Sequence, residues 1–170
     1  MTYLQEIVQT AETFIGCTEG KTPNRGPAVD FFLAEIGYEV KPTQWCAVFV
    51  SFCALRTAKR LKLAANLKKS TGAVRLWQRN PAMQCSIPNL EPGCSFHRVR
   101  EASKAAEARN GGDAPGHTGI LYRHVGGNIW DTIEGNTVSG GENDNGGGCF
   151  VKRLDVTDPR IVGFLKPTAA

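Results

Sequence analysis

Four residues of this chain have the types and spacing that acyl-transfer chemistry needs: Cys46, His117, Glu134 and Asn136. Cys46 stands near the start of an apolar stretch, 44–63, that reads as a helix. Backbone N–H groups and the positive end of the helix dipole stabilise a thiolate in a first helical turn, so a cysteine there can serve as a nucleophile without a nearby lysine. A thiolate needs a partner that holds its proton and later hands it to a leaving amine. Histidine is poised for both near neutral pH. Of the three histidines, His117 follows Asp113-Ala114-Pro115-Gly116 at the mouth of an expected strand, where loops set side chains at the edge of a site. His124 lies an odd number of residues further along that strand and so faces the other way, and His97 sits mid-strand beside basic neighbours. The imidazole in turn needs an acceptor on its other ring nitrogen. Glu134 and Asn136 stand two apart at the end of the next strand and share a face. A hairpin through Gly126-Gly127 returns that end beside His117, so either can reach the ring.

The other cysteines read differently. Cys53 falls two turns after Cys46 inside the apolar helix, where a thiol is buried and inert. Cys17, Cys85, Cys94 and Cys149 fall in loops or strands without a helix dipole and take structural or incidental roles. There is no C-x-x-C pair and no histidine at zinc-finger spacing, so no structural zinc site is expected, and several free thiols are favoured over a disulfide framework.

A helical first half and a stranded second half must position these groups. Leu4, Ile7, Val8, Ala11 and Ile15 recur at helical spacing, which predicts an amphipathic helix over 3–15 closed by Gly16. Pro27 opens a second helix that buries Val29, Phe32, Leu33 and Ile36 and stops at Gly37. The third, carrying Cys46, is apolar on almost every side and so belongs in the middle of the domain, with Pro42 and Thr43 as its start and cap. A short fourth helix is expected over 70–78, with Val74 and Trp77 facing inward. After Pro81 the texture changes to short apolar runs bounded by Gly, Pro and Asn, predicting strands over 94–99, 118–124, 128–134, 149–154 and 161–165. The glycine-rich stretch 140–148 reads as a mobile loop rather than a phosphate cradle, because no helix follows it. Residues 100–113, charged and alanine-rich, form an insertion that would be a surface helix, a lid or a contact for another protein. Helices first and strands second imply an α+β domain.

At 170 residues the chain is one domain, 1–170, long enough to bury roughly 70% of its unfolded surface. Its longest apolar-rich stretch, 45–55, is about half the roughly 20 residues of a bilayer span, so membrane insertion is not expected. Residues 1–10 lack a basic start followed by an apolar core, and no conventional signal peptide is read there. The net charge of +4 favours contact with an acidic polymer but falls short of the basic stripe of a nucleic-acid binder. Most of it falls in 56–69, the solvated end of a helix. A monomer is expected.

The run Trp45-Cys46-Ala47-Val48-Phe49-Val50-Ser51, then Gly116-His117-Thr118-Gly119-Ile120, then Thr132-Ile133-Glu134-Gly135-Asn136-Thr137, resembles the CHAP family of cysteine, histidine-dependent amidohydrolases and peptidases. Asn24-Arg25-Gly26-Pro27 leading into a helix, and Ile161-Val162-Gly163-Phe164, are similar to its bacterial and phage branch. The likeness extends from about Ile15 to Pro167.

That resemblance implies a papain-like α+β fold, with a cysteine-bearing helix packed on an antiparallel sheet that carries the histidine. It also implies cleavage of an amide bond in peptidoglycan, between the sugar and the first alanine or within the peptide stem and cross-bridge. By the same likeness Cys46 matches the nucleophile, His117 the general base and acid, Glu134 the residue that orients the imidazole, and Asn136 an auxiliary polar group. The oxyanion would be held by the Cys46 backbone N–H and the Gln44 side chain. Trp45 and Trp130, with Trp77, would offer flat surfaces to a glycan or peptide, or else pack in the core. Thr118 departs from a position where a β-branched apolar residue is common, a small change of shape. Some family members bind calcium before the cysteine, but Glu19, Asp30, Glu35 and Glu39 are too dispersed here for about six oxygen ligands, so no metal or other cofactor is expected. Such an enzyme would act in the periplasm or cell wall after release or delivery. The alternatives are an interbacterial amidase effector neutralised by an immunity protein, and a wall-binding module without catalysis. Nearly all of the length would serve the one domain, so the surface that cuts the wall must also recognise it.

Overall fold

A helix that is apolar on every side needs a partner on every side, and α3 (Cys46–Leu61) has them. In this computed structural model, which describes residues 1–139 and 147–170, α1 (Tyr3–Glu12) and α2 (Pro27–Glu35) cover one flank of α3 and a sheet covers the other. Phe32 of α2 meets Phe49 and Phe52 of α3 at ring-centroid separations of 5.5 and 4.6 Å. Each such buried side chain stabilises the fold by about 1.5–3 kcal/mol relative to exposure. The Tyr3 hydroxyl donates to the Ala54 carbonyl at 2.8 Å and fixes α1 along α3. Towards its C-terminus α3 becomes solvated as expected: Arg56 and Lys59 both pair with Glu35, and Arg60 pairs with Glu6.

Local chemistry explains most helix ends. Thr2 and Gln5 form a reciprocal capping box at the start of α1. The expected helix over 3–15 stops sooner, at Glu12, because the chain turns to pair with the sheet: the Gly16 N–H donates to the Cys149 carbonyl at 2.8 Å. Pro27 takes the first turn of α2, as its fixed φ favours. Thr43 does not cap α3. Its hydroxyl donates to the Lys41 carbonyl instead, and the helix begins at Cys46 with Trp45 in the cap position. The short helix α4 (Ala73–Gln78) starts later than 70 because the Ser70 hydroxyl accepts from the Gly72 N–H and holds a turn before it.

The second half forms a six-stranded antiparallel sheet in the order β1-β6-β2-β3-β4-β5. Its strands are β1 (Gln84–Cys85), β2 (Ser95–Val99), β3 (Gly116–Gly126), β4 (Ile129–Thr137), β5 (Gly148–Asp155) and β6 (Ile161–Leu165). The architecture is therefore α+β, with N-terminal helices packed against the sheet. β1 escapes the sequence reading because two residues carry no periodicity. The β3–β4 hairpin turns through Gly126 and Gly127, the latter at φ 54°, and sets Ile120 opposite Ile133. Of the glycine-rich stretch, residues 140–146 lie outside the described residues, while Gly148 already belongs to β5. The insertion folds as a surface helix: α5 (Ala105–Arg109) buries Ala105 and Ala108 against Val74, Val99 and Val162. The Arg109 guanidinium donates to the Ile161 and Val162 carbonyls at 2.6 and 3.2 Å.

Candidate active site

The site is assembled where α3 begins against the β3–β4 hairpin. Cys46 occupies the first turn of α3 and is only 4% exposed, at the floor of a pocket of about 470 Å³. Gln44, Gly72, Arg100, Asp113, Pro115 and Gly116 are among the residues lining it. The two ends of the 100–113 insertion thus flank the thiol, although its helix lies elsewhere. Among the described residues no side chain caps α3, so the first-turn N–H groups remain available to a ligand at the pocket floor.

His117, near the start of β3, is fully buried. Its Nε2–H donates to Glu134 Oε2 at 2.8 Å, and the Thr132 hydroxyl donates to the other carboxylate oxygen at 2.5 Å. With Nε2 engaged, Nδ1 is the nitrogen left for chemistry. It has no hydrogen bond among the described residues, and besides Glu134 the group acting on the ring is the Cys46 thiol. Catalytic hydrogen bonds are often loose before substrate arrives. Burial would push the His117 pKa down, but the neighbouring Cys46 and Glu134 outweigh it and raise it to about 10. Burial alone would raise Glu134, yet hydrogen bonding and charge from His117, then Thr132 and Arg98, hold its carboxyl below the ordinary value. A buried carboxylate and an imidazolium therefore support each other.

Two glycines make this approach possible, and sequence reading did not single them out. A Cβ at Gly119 would stand 2.6 Å from Glu134 Cγ and 2.9 Å from Phe96 Cε1, so an absent side chain leaves room for the Glu134 carboxylate. A Cβ at Gly135 would stand 2.7 Å from the Trp45 ring and 2.9 Å from Phe49 Cβ, where α3 lies closest to β4. The signal was a glycine two residues after the histidine and one immediately after the glutamate. Gly119→Ala should destabilise the fold by about 1–3 kcal/mol through overpacking, and should cost any His117-dependent activity beyond the loss of folded protein. Chemical denaturation alongside turnover measures both; a variant as stable and as active as the parent would show that the space is not needed.

The remaining expected site residues divide. Gln44 is exposed at the pocket beside Cys46, in reach of the site. Trp45 is not a substrate surface: it is fully buried, its ring packs near Phe32 and Phe49, and its indole N–H donates to Glu19 Oε1 at 2.7 Å. Trp130 is 7% exposed and packs in the core with Phe96, Leu121 and Leu154, its ring beside His124. Asn136 is buried, but Glu134 is the residue bonded to His117. Continuing the β3–β4 register would set Asn136 opposite His117 with Glu134 on the diagonal, but the ladder is irregular after Glu134 and Asn136 takes φ 60°, so the strand alternation ends there.

His97 and His124 stay apart from the thiol. The buried His97 donates from Nδ1 to the Ala73 carbonyl and accepts at Nε2 from the Ser95 hydroxyl, which ties α4 to β2; burial lowers its pKa to about 4. His124 is exposed and bonds the Gly127 carbonyl in the hairpin. Burial pushes the Cys53 thiol well up, in keeping with an inert core position. Asp30, Glu35 and Glu39 pair with Arg25, Lys59 and Lys41, and Glu19 holds Trp45. Among the described residues no three His, Cys, Asp or Glu side chains are grouped to hold a metal ion, and no helix is long and apolar enough to cross a membrane. The chain matches no family model, no curated protein and no solved structure.

Proposed function

We propose that the protein hydrolyses amide bonds of peptidoglycan, with Cys46 as nucleophile, His117 as general base and acid, and Glu134 as the residue that orients the imidazole and supports its charge. One observation carries this reading: a buried imidazole lies between a buried carboxylate and a thiol at a helix start, and that thiol lines a pocket. The three motifs that resemble the CHAP family supply the substrate class.

In the proposed reaction the Cys46 thiolate attacks the amide carbonyl carbon. The oxygen gains negative charge and is held by the Cys46 N–H and the Gln44 side chain; removing one such donor typically costs about 10²–10³ in rate. Protonated His117 passes its Nδ1 proton to the nitrogen, the C–N bond breaks, and the amine leaves. Neutral His117 then takes a proton from water, which attacks the thioester, releases the acid and restores the thiolate. Arg100 and Asp113 at the pocket offer opposite charges, which suits a stem peptide bearing both carboxylates and amines.

Digestion of purified peptidoglycan followed by mass spectrometry tests this. Release of a peptide with a free N-terminal alanine marks an amidase, and a new terminus within the stem or cross-bridge marks an endopeptidase. Retention on the wall with no new terminus would replace the hydrolase reading by that of a binding module.

A further inference from the structure

We propose that Cys17 with Cys149, and Cys85 with Cys94, are two disulfide sites, each a pair of thiols that the fold already holds against one another. The proposal is independent of the hydrolase reading. After α1 the chain runs antiparallel to the start of β5: Thr18 bridges Gly148, and the Cys149 N–H donates to the Cys17 carbonyl at 3.0 Å. That pairing sets Cys17 and Cys149 opposite one another, with their side chains on the same face. At the other end of the sheet, β1 and β2 flank β6, with Cys85 and Phe96 both paired to Phe164. The connection between them returns through a turn closed by the Cys94 N–H and the Glu91 carbonyl, and Cys85 packs against the buried cluster to which Cys94 belongs.

The two pairs share an asymmetry that defines an order of reaction. Cys17 and Cys85 are half-buried, while Cys149 and Cys94 are buried. Contact with the buried thiol also lowers the pKa of Cys17 and of Cys85. The accessible thiolate therefore attacks a small-molecule disulfide such as oxidised glutathione, expelling one glutathione thiolate and leaving a mixed disulfide. The buried neighbour then loses its proton, attacks the protein sulfur of that bond and expels the second glutathione. Two cysteines are oxidised, one glutathione disulfide is reduced to two thiols, and the two protons released by the protein end on those thiols.

Among the described residues Cys46 and Cys53 have no such partner. Cys53 lies close enough for Cys17 to influence its titration but is not in thiol contact with it. An oxidising setting would therefore crosslink four thiols and spare the proposed nucleophile. The first crosslink would also tie down the segment that carries Glu19, whose carboxylate holds Trp45 at the cap of α3.

The test incubates the reduced, folded full-length chain in a glutathione redox buffer, alkylates it under denaturing conditions and maps the peptides by mass spectrometry. Crosslinked peptides joining Cys17 to Cys149 and Cys85 to Cys94, with Cys46 and Cys53 free of protein crosslinks, are the expected result. Cys149→Ser should remove the first crosslink alone and Cys94→Ser the second alone. No crosslinked peptide after oxidation, a crosslink between Cys17 and Cys53, or loss of both crosslinks in either variant would overturn the proposal.

Discussion

Replacing Cys46 by alanine should abolish amide hydrolysis while leaving the protein folded. The sulfur sits in the first turn of α3 at a pocket floor rather than deep among the phenylalanines, and alanine has the highest helix propensity. Loss of stability should therefore stay near 1 kcal/mol or below, roughly the burial of one methylene-sized group. Removing a nucleophile that acts as a unit with its base typically costs about 10⁴–10⁶ in kcat, which in a wall-lysis assay reads as no activity. A second consequence separates a lost nucleophile from a collapsed site. The Cys46 side chain is among the causes that hold the His117 pKa up against burial, so the variant's imidazole should titrate at lower pH than the parent's. Turnover on purified peptidoglycan and the ring signal of His117 by NMR measure the two effects. Persistent turnover would remove Cys46 from the mechanism, and an unmoved titration would show that the thiol is not the partner of the ring.

The elements that carry the site were legible because each has a strong local cause. The continuous apolar face of α3 announces burial on all sides, and the diglycine between β3 and β4 brings the far end of one strand back beside the other. What stayed open had physical reasons. Glu134 and Asn136 have the same parity along β4, and alternation cannot choose between them; the choice comes from the irregular register after Glu134 and the left-handed backbone at Asn136. Trp45 adjoins the proposed nucleophile in sequence and so looked able to meet a substrate. Its indole turns instead into the core, satisfied by Glu19 from a loop 26 positions earlier, a pairing that no periodicity encodes. The pocket wall comes from the turn before α4 and the two ends of the insertion, segments brought together by the packing of α5, by His97 and by the bonds of Arg75 and Gln78 to the insertion. The thiol pairs were illegible for the same reason, since both depend on strand neighbours distant in sequence or on a return turn.

Glu134→Gln is the substitution that separates charge from orientation at this site. Glutamine keeps nearly the same shape, and its amide oxygen can still accept from His117 Nε2–H; what disappears is the negative charge. His117 is fully buried, so desolvation disfavours its charged form, and the raised pKa of about 10 depends on both Cys46 and Glu134. Because this pKa lies above the ordinary 6.5, the stability gained by protonating the ring in the fold is full below about 6.5 and is lost as pH rises through about 10. Without the carboxylate that window must close at lower pH. Turnover near neutral pH should fall by about 10²–10⁴, the range for losing an orienting carboxylate and an efficient acid–base partner. The alkaline limb of kcat/KM should move to lower pH in the same variant. A fall in kcat with the limb unmoved would mean that Glu134 works through orientation alone. Unchanged kcat would pass the role to another acceptor, with Asn136, on the same strand, the first to be replaced.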